Sequence, residues 1–467
     1  TASLATSFSY NYDLKYVVDL SYRIEGSSTN GPEAGSSLNP SIGLRWNFNR
    51  ENFMQDFAWL DYSSIRLSYG KNIVPTGTVY DVYGRYVAGG NYNQQPTVNL
   101  DLGVIPNTTL TPTTTTQYNL GFDAGFLNGK LGVTFDTYYK QVDNMLRTKD
   151  IANINAFAKV STNEMSVVNY GYELGINVRP LSDDSKLKWT MALNGAINRD
   201  VMVHLPDGVS QLLVPDPVNG QATLYRLGRN SLTNVLLNNK GVYANDADVP
   251  VDPLTGLRYR TGGINGTPFK AGDPIWTDLN GDYILDDRDY VAVGNSQPIF
   301  TGGVNSSMQY GKWSLQVNAT FTLDRDILNN ALATQFRNFN NPTVMSGYIP
   351  IEAYNYWKQA GDQAVYPNPF DYTRYSQVKP FRFDQTLFQE DGSYVKISQA
   401  TLSYNLDREM TKRWGISSVR IYGTAYNIYT FSNYSGPNPE SVTDLGRDTS
   451  GGYPNARSYT LGLNVQF

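Results

Sequence analysis

The residues best suited to chemistry lie in one short stretch, Asp278-Leu-Asn280-Gly-Asp282-Tyr-Ile284-Leu-Asp286-Asp-Arg-Asp289. Oxygen side chains occupy positions 1, 3, 5, 9 and 12 of a twelve-residue turn, and the Ile284 carbonyl falls at position 7. Calcium needs about six to eight oxygens wrapped round one point, and this spacing supplies them from a single turn. Two positions depart from the pattern. Tyr283 stands where calcium loops carry the glycine of the sharp turn, and Asp289 closes the loop where a longer Glu is usual. The other reading is an acidic surface turn that holds no ion. Two tryptophans, Trp276 and Trp357, sit in long irregular segments, where they either meet a ligand or partner or pack within the loop itself.

Other chemistries are closed off by composition. The 467 residues include no Cys and a single His. Disulfides, thiolate metal sites and two-histidine zinc motifs are therefore excluded. His204, in Val203-His204-Leu205-Pro206, reads as a loop residue. A net charge of -5 argues against a nucleic-acid partner, which calls for a basic patch. No run reaches the roughly 20 apolar residues of a membrane helix, a test that a β-barrel escapes by hiding its polar half inside. No secretory leader opens the sequence, so it reads as a mature form or a portion of one.

The elements that carry these residues are strands. At the C-terminus Tyr459, Leu461, Leu463, Val465 and Phe467 alternate with Thr460, Gly462, Asn464 and Gln466, one apolar face against one polar face. The same period recurs at Tyr16–Ile24, Ile42–Phe48 and Ile65–Tyr69, then in a hairpin that turns at Asn128-Gly129. It returns at Tyr172–Val178, Leu187–Ile197, Val304–Met308 and Trp313–Leu323. From Val395 to Tyr404 the phase slips by one, predicting a β-bulge near Ser398-Gln399. Val419–Tyr429 is apolar on both faces and cannot be oriented. About thirteen strands result, each near the roughly 9–11 residues that cross a bilayer at a tilt.

If the terminal strand ends in the periplasm, the links sort by side. The inside links are Asp13-Leu14, Asn49–Tyr62, Leu127–Lys130, Pro180–Ser185, Tyr310-Gly311 and Asn405–Gly415. The outside links are Gly26–Asn39, Lys71–Thr113, Arg147–Met165, Val201–Gln297, Asp324–Gly392 and Phe431–Asn455, each at least as long as its inside neighbours. Trp46, Trp59, Trp189, Trp313 and Trp414 fall at inside ends, where an interfacial girdle belongs. Asp19, Arg23, Arg45, Arg66, Asp123, Asp136, Lys140, Glu173 and Arg179 lie on polar faces, and no charge is expected on the lipid side. The expectation is an all-β fold, a transmembrane antiparallel barrel with long extracellular loops and short periplasmic turns.

A set of motifs then resembles one family. Asp278-Leu-Asn-Gly-Asp282, Val293-Gly-Asn295 and Phe300-Thr-Gly-Gly303 are similar to the late-barrel signature of SusC/RagA-type TonB-dependent outer-membrane transporters. Trp59-Leu-Asp61, Arg66-Leu-Ser-Tyr-Gly70, Thr116-Gln-Tyr-Asn-Leu-Gly121, Tyr170-Gly-Tyr-Glu173, Tyr426-Asn427, Thr430-Phe431 and Tyr459-Thr-Leu-Gly462 extend the likeness in the same order. The resemblance implies a barrel of about 22 strands around a plug, of which these residues form the C-terminal part. The plug and TonB box are expected outside the sequence. The resemblance further implies a SusD-like lipoprotein lid, coupling to TonB, import of oligosaccharides or peptides, a bacterial outer-membrane location and no enzymatic activity. A passive porin-like channel and a secreted carbohydrate-binding β-protein are the alternatives. Phe467's strand is expected to pair with a segment beyond these residues.

Overall fold

The structure, a computed structural model, describes residues 2–75, 77–216, 221–339, 349–413, 415–448 and 455–467. Thirteen strands form one antiparallel path in sequence order. They are β1 (Ala2–Tyr12), β2 (Tyr16–Gly26), β3 (Ser37–Trp46), β4 (Leu60–Val74), β5 (Thr113–Phe126), β6 (Leu131–Asp150) and β7 (Lys159–Val178). β8 (Leu187–His204), β9 (Phe300–Tyr310), β10 (Trp313–Leu323), β11 (Tyr394–Asn405), β12 (Ser418–Ser432) and β13 (Ser458–Gln466) complete it. Among the described residues β1 pairs only with β2 and β13 only with β12, so the sheet is an open arc.

The register shows how the arc is inclined. One row of paired residues runs Tyr16, Trp46, Ile65, Phe122, Phe135, Leu174 and Gly195, then Gly302, Phe321, Val395 and Phe431. It starts at the foot of β2 and finishes near the head of β12. The climb is about one residue per strand step, and with ~3.3 Å per residue and ~4.8 Å between strands this is a tilt of roughly 35–40°, the inclination of transmembrane barrels.

Side-chain exposure inverts the rule for a water-soluble core. Leu461 is 89% exposed, and Phe8, Leu120, Leu174, Leu402 and Ile421 are exposed in the same outward phase. Monomeric soluble proteins rarely expose apolar patches larger than a few hundred Å². An apolar band on every strand suits lipid as its solvent. Arg45, Arg66, Asp136 and Glu173 share the opposite, inner face through the pairs Arg45–Arg66 and Asp136–Glu173.

The links sort by length. One end holds 13–15, 47–59, 127–130, 179–186, 311–312 and 406–417; the other holds 27–36, 75–112, 151–158, 205–299, 324–393 and 433–457. Two outside links depart from the expected order: 27–36 is shorter than its inside neighbour 47–59, and 151–158 replaces the expected Arg147–Met165. The latter is no longer than 179–186, because β6 and β7 each continue for 20 residues and raise the whole hairpin above the sheet. Ser398 is the extra residue of the expected bulge, skipped between Ile397 and Gln399 on both flanking ladders. Opposite it, β12 also slips, and Asn427 takes a left-handed φ of 52°. That slip explains why β12 alternates badly, and the pairs Ile421–Leu463 and Ala425–Tyr459 now assign its outer face.

Charges do stand on the outer face, against the expectation of none. Asp143 shares the outward phase of Tyr139 on β6, opposite Thr114, and accepts from the Gln141 side chain. Lys71 shares the phase of Tyr69 on β4, and Arg199 pairs with Tyr170 on β8. They all lie towards the long-link end, where a charged side chain reaches the interface at little cost.

Candidate functional site

On the inner face, Arg66 of β4 gathers two carboxylates from neighbouring strands. Its Nε donates to Asp123 Oδ2 at 2.7 Å and its terminal nitrogen to Asp123 Oδ1 at 3.1 Å. The same nitrogen reaches Asp136 Oδ2 at 3.0 Å, and the Ser64 hydroxyl donates to Asp123 at 3.0 Å. Planar guanidinium and carboxylate geometries match, which makes such forks directional. Sequence phase placed these three residues on one face without showing that they meet.

Glycines on the strands, Gly171 and Gly462 of the motifs among them, make room for large rings. A Cβ on Gly125 would lie 2.1 Å from the Tyr62 ring, and one on Gly462 2.2 Å from the Tyr422 ring. Gly171 sits beneath Tyr138, whose hydroxyl donates to Asn198 Oδ1 at 2.6 Å. Large rings thus lie over bare backbone on the next strand, which fixes register.

The longest links fold into a layer over the end of the sheet. Leu237, Tyr243, Val249, Tyr259, Phe269, Trp276 and Leu285 from 205–299 enclose a core completed by Val378 from 324–393. Phe336, Phe381 and Phe388 centre a second core within 324–393, where the helix Asn330–Asn338 starts on an Asn329 cap. The two links are pinned by a buried ion pair. Arg374 Nε donates to Asp273 Oδ1 at 2.9 Å, its terminal nitrogen bonds Oδ2, and it also reaches the Pro268 carbonyl at 3.0 Å. Arg447, from 433–457, donates to Asn234 Oδ1 at 3.0 Å and to the Ala222 carbonyl at 3.1 Å, joining the third link.

Both loop tryptophans serve this layer. Trp276 is 2% exposed in the first core, and its indole donates to Gln385 Oε1 at 2.9 Å. It faces the interior of the layer, with no surface free to meet a partner. Trp357 is half-buried over Gly272, whose Cβ would lie 2.7 Å from the ring, and its indole donates to the Ala244 carbonyl at 3.4 Å. It ties 324–393 to 205–299.

The acidic turn forms at the edge of the first core. Tyr283 adopts a left-handed φ of 59°, the conformation that calcium loops usually assign to glycine. Asp278 accepts the Gly281 and Tyr283 amides at 2.8 and 2.9 Å, and Asn280 accepts the Asp282 amide at 3.1 Å. Asp289, buried, accepts the Leu279 and Asp286 amides at 2.9 Å each, and burial pushes its carboxyl above the usual range. Ile284 sits in a two-residue strand with Leu285, beside Arg260. Asp282 and Asp286 converge on the Arg288 guanidinium, each 2.5 Å from its terminal nitrogen. Among the described residues no three His, Cys, Asp or Glu side chains gather round one point. The cation these two carboxylates share is Arg288, whose hydrogen bonds hold the Asp286 carboxyl below its ordinary range.

At the other end, Tyr459, Leu461 and Leu463 of β13 are exposed on the outer face, with Val465 opposite Val419 and Phe467 just beyond the strand. Trp46, Trp59, Trp189 and Trp313 all lie at the short-link end, where Trp59 stacks on Phe126 and Trp313 packs on Tyr404. Trp414 lies outside the described residues.

Comparison with known proteins adds to this geometry. A family model described as TonB dependent receptor-like, beta-barrel matches residues 1–341. TonB-dependent receptor P3 of Formosa agariphila is 26% identical over 475 residues, covering 98% of this chain and 44% of the relative. TonB-dependent receptor SusC of Bacteroides thetaiotaomicron is 25% identical over 473 residues, covering 98% and 43%. The RagAB peptide transporter structure superposes with a TM-score of 0.80 at 19% identity, over 100% of this chain and 47% of the other. The chain thus spans less than half the length of these relatives.

Proposed function

The chain belongs to the TonB-dependent receptor-like β-barrel family, and from that premise we propose that it forms the C-terminal part of an outer-membrane nutrient importer. The observation that carries this reading is the sidedness of the sheet. Its outer face carries an apolar band whose few charges lie towards the long-link end, its inner face is charged, and its longest links fold into one layer at one end. A wall of that kind separates lipid from an aqueous lumen, and the layer is where cargo would first be met.

The unpaired edges of β1 and β13 call for partners, because each unsatisfied backbone group in lipid costs several kcal/mol. We assign those partners, the plug and the TonB box to the remainder of the receptor. The short-link end, with Phe467, is placed in the periplasm, so β13 serves as the terminal assembly strand. The cargo class is oligosaccharide or peptide, peptide being the cargo for which the RagAB transporter is named. A SusD-like lipoprotein is the proposed lid over the loop layer. Calcium is the proposed ion of the acidic turn: Asp278, Asn280, Asp282, Asp286, Asp289 and the Ile284 carbonyl would hold it, with Arg288 released from Asp282 and Asp286.

Uptake measured in cells tests the reading. Import of the cognate nutrient should stop when TonB is deleted and a SusD-like lipoprotein should co-purify with the receptor. Uptake that continues unchanged without TonB would favour a passive channel instead.

A further inference from the structure

We propose that a lumenal pocket near the long-link end of β6, β7 and β8 recognises a carboxylate carried on an apolar body, with Arg147 as the residue that reads the anion. This rests on the import reading and names a ligand chemistry within it. Strand phase on β6 sets the expectation. From Leu131 to Asp143 the odd-numbered residues of β6 point outward with Tyr139, which should send Met145 and Arg147 towards lipid. They do not go there. Asn144 takes a left-handed φ of 58°, and the register jumps between the pairs Val142–Val167 and Met145–Met165. A bulge of this kind re-aims the side chains beyond it. Here it turns Met145 and Arg147 onto the lumenal side, with Val167 and Met202.

The pocket they enter is a cavity of about 560 Å³. Three of the chain's eight methionines, Met145, Met165 and Met202, meet in its wall with Val142, Val167 and Leu232. Methionine is unbranched and polarisable, so such a wall adapts to apolar groups of different shapes. Among the described residues Arg147 is the only cation lining it. Its guanidinium lies 5.5 Å from the centre of the Tyr225 ring, and one terminal nitrogen is 3.7 Å from Met165 Sδ. Among the described residues no carboxylate lies within ion-pair distance of it. Asp200, bonded through Oδ2 to the Ser231 amide and hydroxyl, keeps a buried Oδ1 without a hydrogen-bond partner among the described residues and forms no ion pair with Arg147.

A guanidinium held against methionines and an aromatic face, with no protein anion, is matched by a ligand carboxylate that accepts two parallel hydrogen bonds. The methionine wall then takes the apolar group next to that carboxylate. A neutral sugar supplies neither feature: it brings no anion to Arg147, and apart from Asn169, Ser231 and Tyr225 the wall offers its hydroxyls apolar groups.

Calorimetric titration of the full-length receptor in detergent micelles tests this with three probes: N-acetyl-Gly-Gly-Leu as the free acid, the same peptide as its C-terminal amide, and maltotriose. The free acid should bind roughly tenfold or more tighter than the amide, as expected for hydrogen bonds to a charged group. Arg147→Gln should lower the acid to the affinity of the amide, and Arg147→Lys should keep part of the preference. Heat-modifiable gel migration reports whether each variant has folded, and the Lys variant carries the test if the Gln variant has not. Equal binding of acid and amide, no binding of either, or a preference that survives both substitutions would overturn the proposal. TonB-dependent import with no acid preference would defeat this inference alone. An acid preference alongside TonB-independent uptake would defeat the import reading alone.

Discussion

The guanidinium of Arg66 lies directly on Gly121 of the neighbouring strand, where a Cβ would come within 2.6 Å of the Arg66 Cζ. The absence of a side chain at Gly121 is what lets Arg66 reach both Asp123 and Asp136. Gly121→Val should therefore push Arg66 out of this clamp. Overpacking of this sort costs about 1–3 kcal/mol. Urea unfolding of the refolded barrel should show a midpoint lowered to match, and an unchanged midpoint would show that the clamp has room to shift.

Gly462 lies under the Tyr422 ring in the last pair of strands. Gly462→Val should slow seating of β13 and leave more heat-sensitive, unassembled receptor in the membrane. Adding Tyr422→Ala should restore assembly, because the ring that clashes is gone. Pulse-labelled assembly assays separate these outcomes. Failure of the double variant to recover would mean that β13 needs the ring more than the space.

Arg374 and Asp273 join the two longest links in a buried pair. Removing one partner strands a charge and costs about 3–5 kcal/mol, whereas replacing both with apolar residues of similar volume is nearly neutral. Arg374→Met should open the loop layer to limited proteolysis while the sheet stays resistant, and Arg374→Met with Asp273→Leu should close it again. Equal protease sensitivity in the parent and the single variant would contradict the pinning role.

The acidic turn should respond to acid. Arg288 lowers the Asp286 carboxyl in the folded state, so the stabilisation is present above the ordinary carboxylate range near ~3.9 and fades as pH falls through the lowered folded value. Amide exchange at Arg288, whose N–H donates to Asp286 at 2.8 Å, should quicken over that window. Arg288→Gln should shift the window upward. By freeing Asp282 and Asp286 it should also tighten Ca²⁺ binding, measured by terbium luminescence excited through nearby Tyr283. No terbium binding in either form would remove calcium from the account.

Much of the sheet was legible because lipid and lumen impose a strict period of two on every strand. The reading weakened wherever a bulge broke that period. At Asn144 it hid the top of β6 and the turn of Arg147 into the lumen, and at Asn427 it blurred β12. Ser398 was readable because apolar residues resume cleanly on both sides of the slip. The loop layer offered no period at all. Trp276 gave no sign that it was buried, and Asp273 and Arg374 lie too far apart in sequence for their pairing to show. The glycines of the motifs were visible as letters, but only the rings and the guanidinium resting on them give the physical reason.

β11 should separate lipid from an aqueous lumen residue by residue. The chain has no Cys, so single cysteines can be placed from Ala400 to Tyr404 and spin-labelled without background. In the reconstituted full-length receptor, labels at 400, 402 and 404 should be relaxed by oxygen, and labels at 401 and 403 by a water-soluble nickel chelate. Accessibility to the chelate on both faces, or no alternation between them, would contradict it.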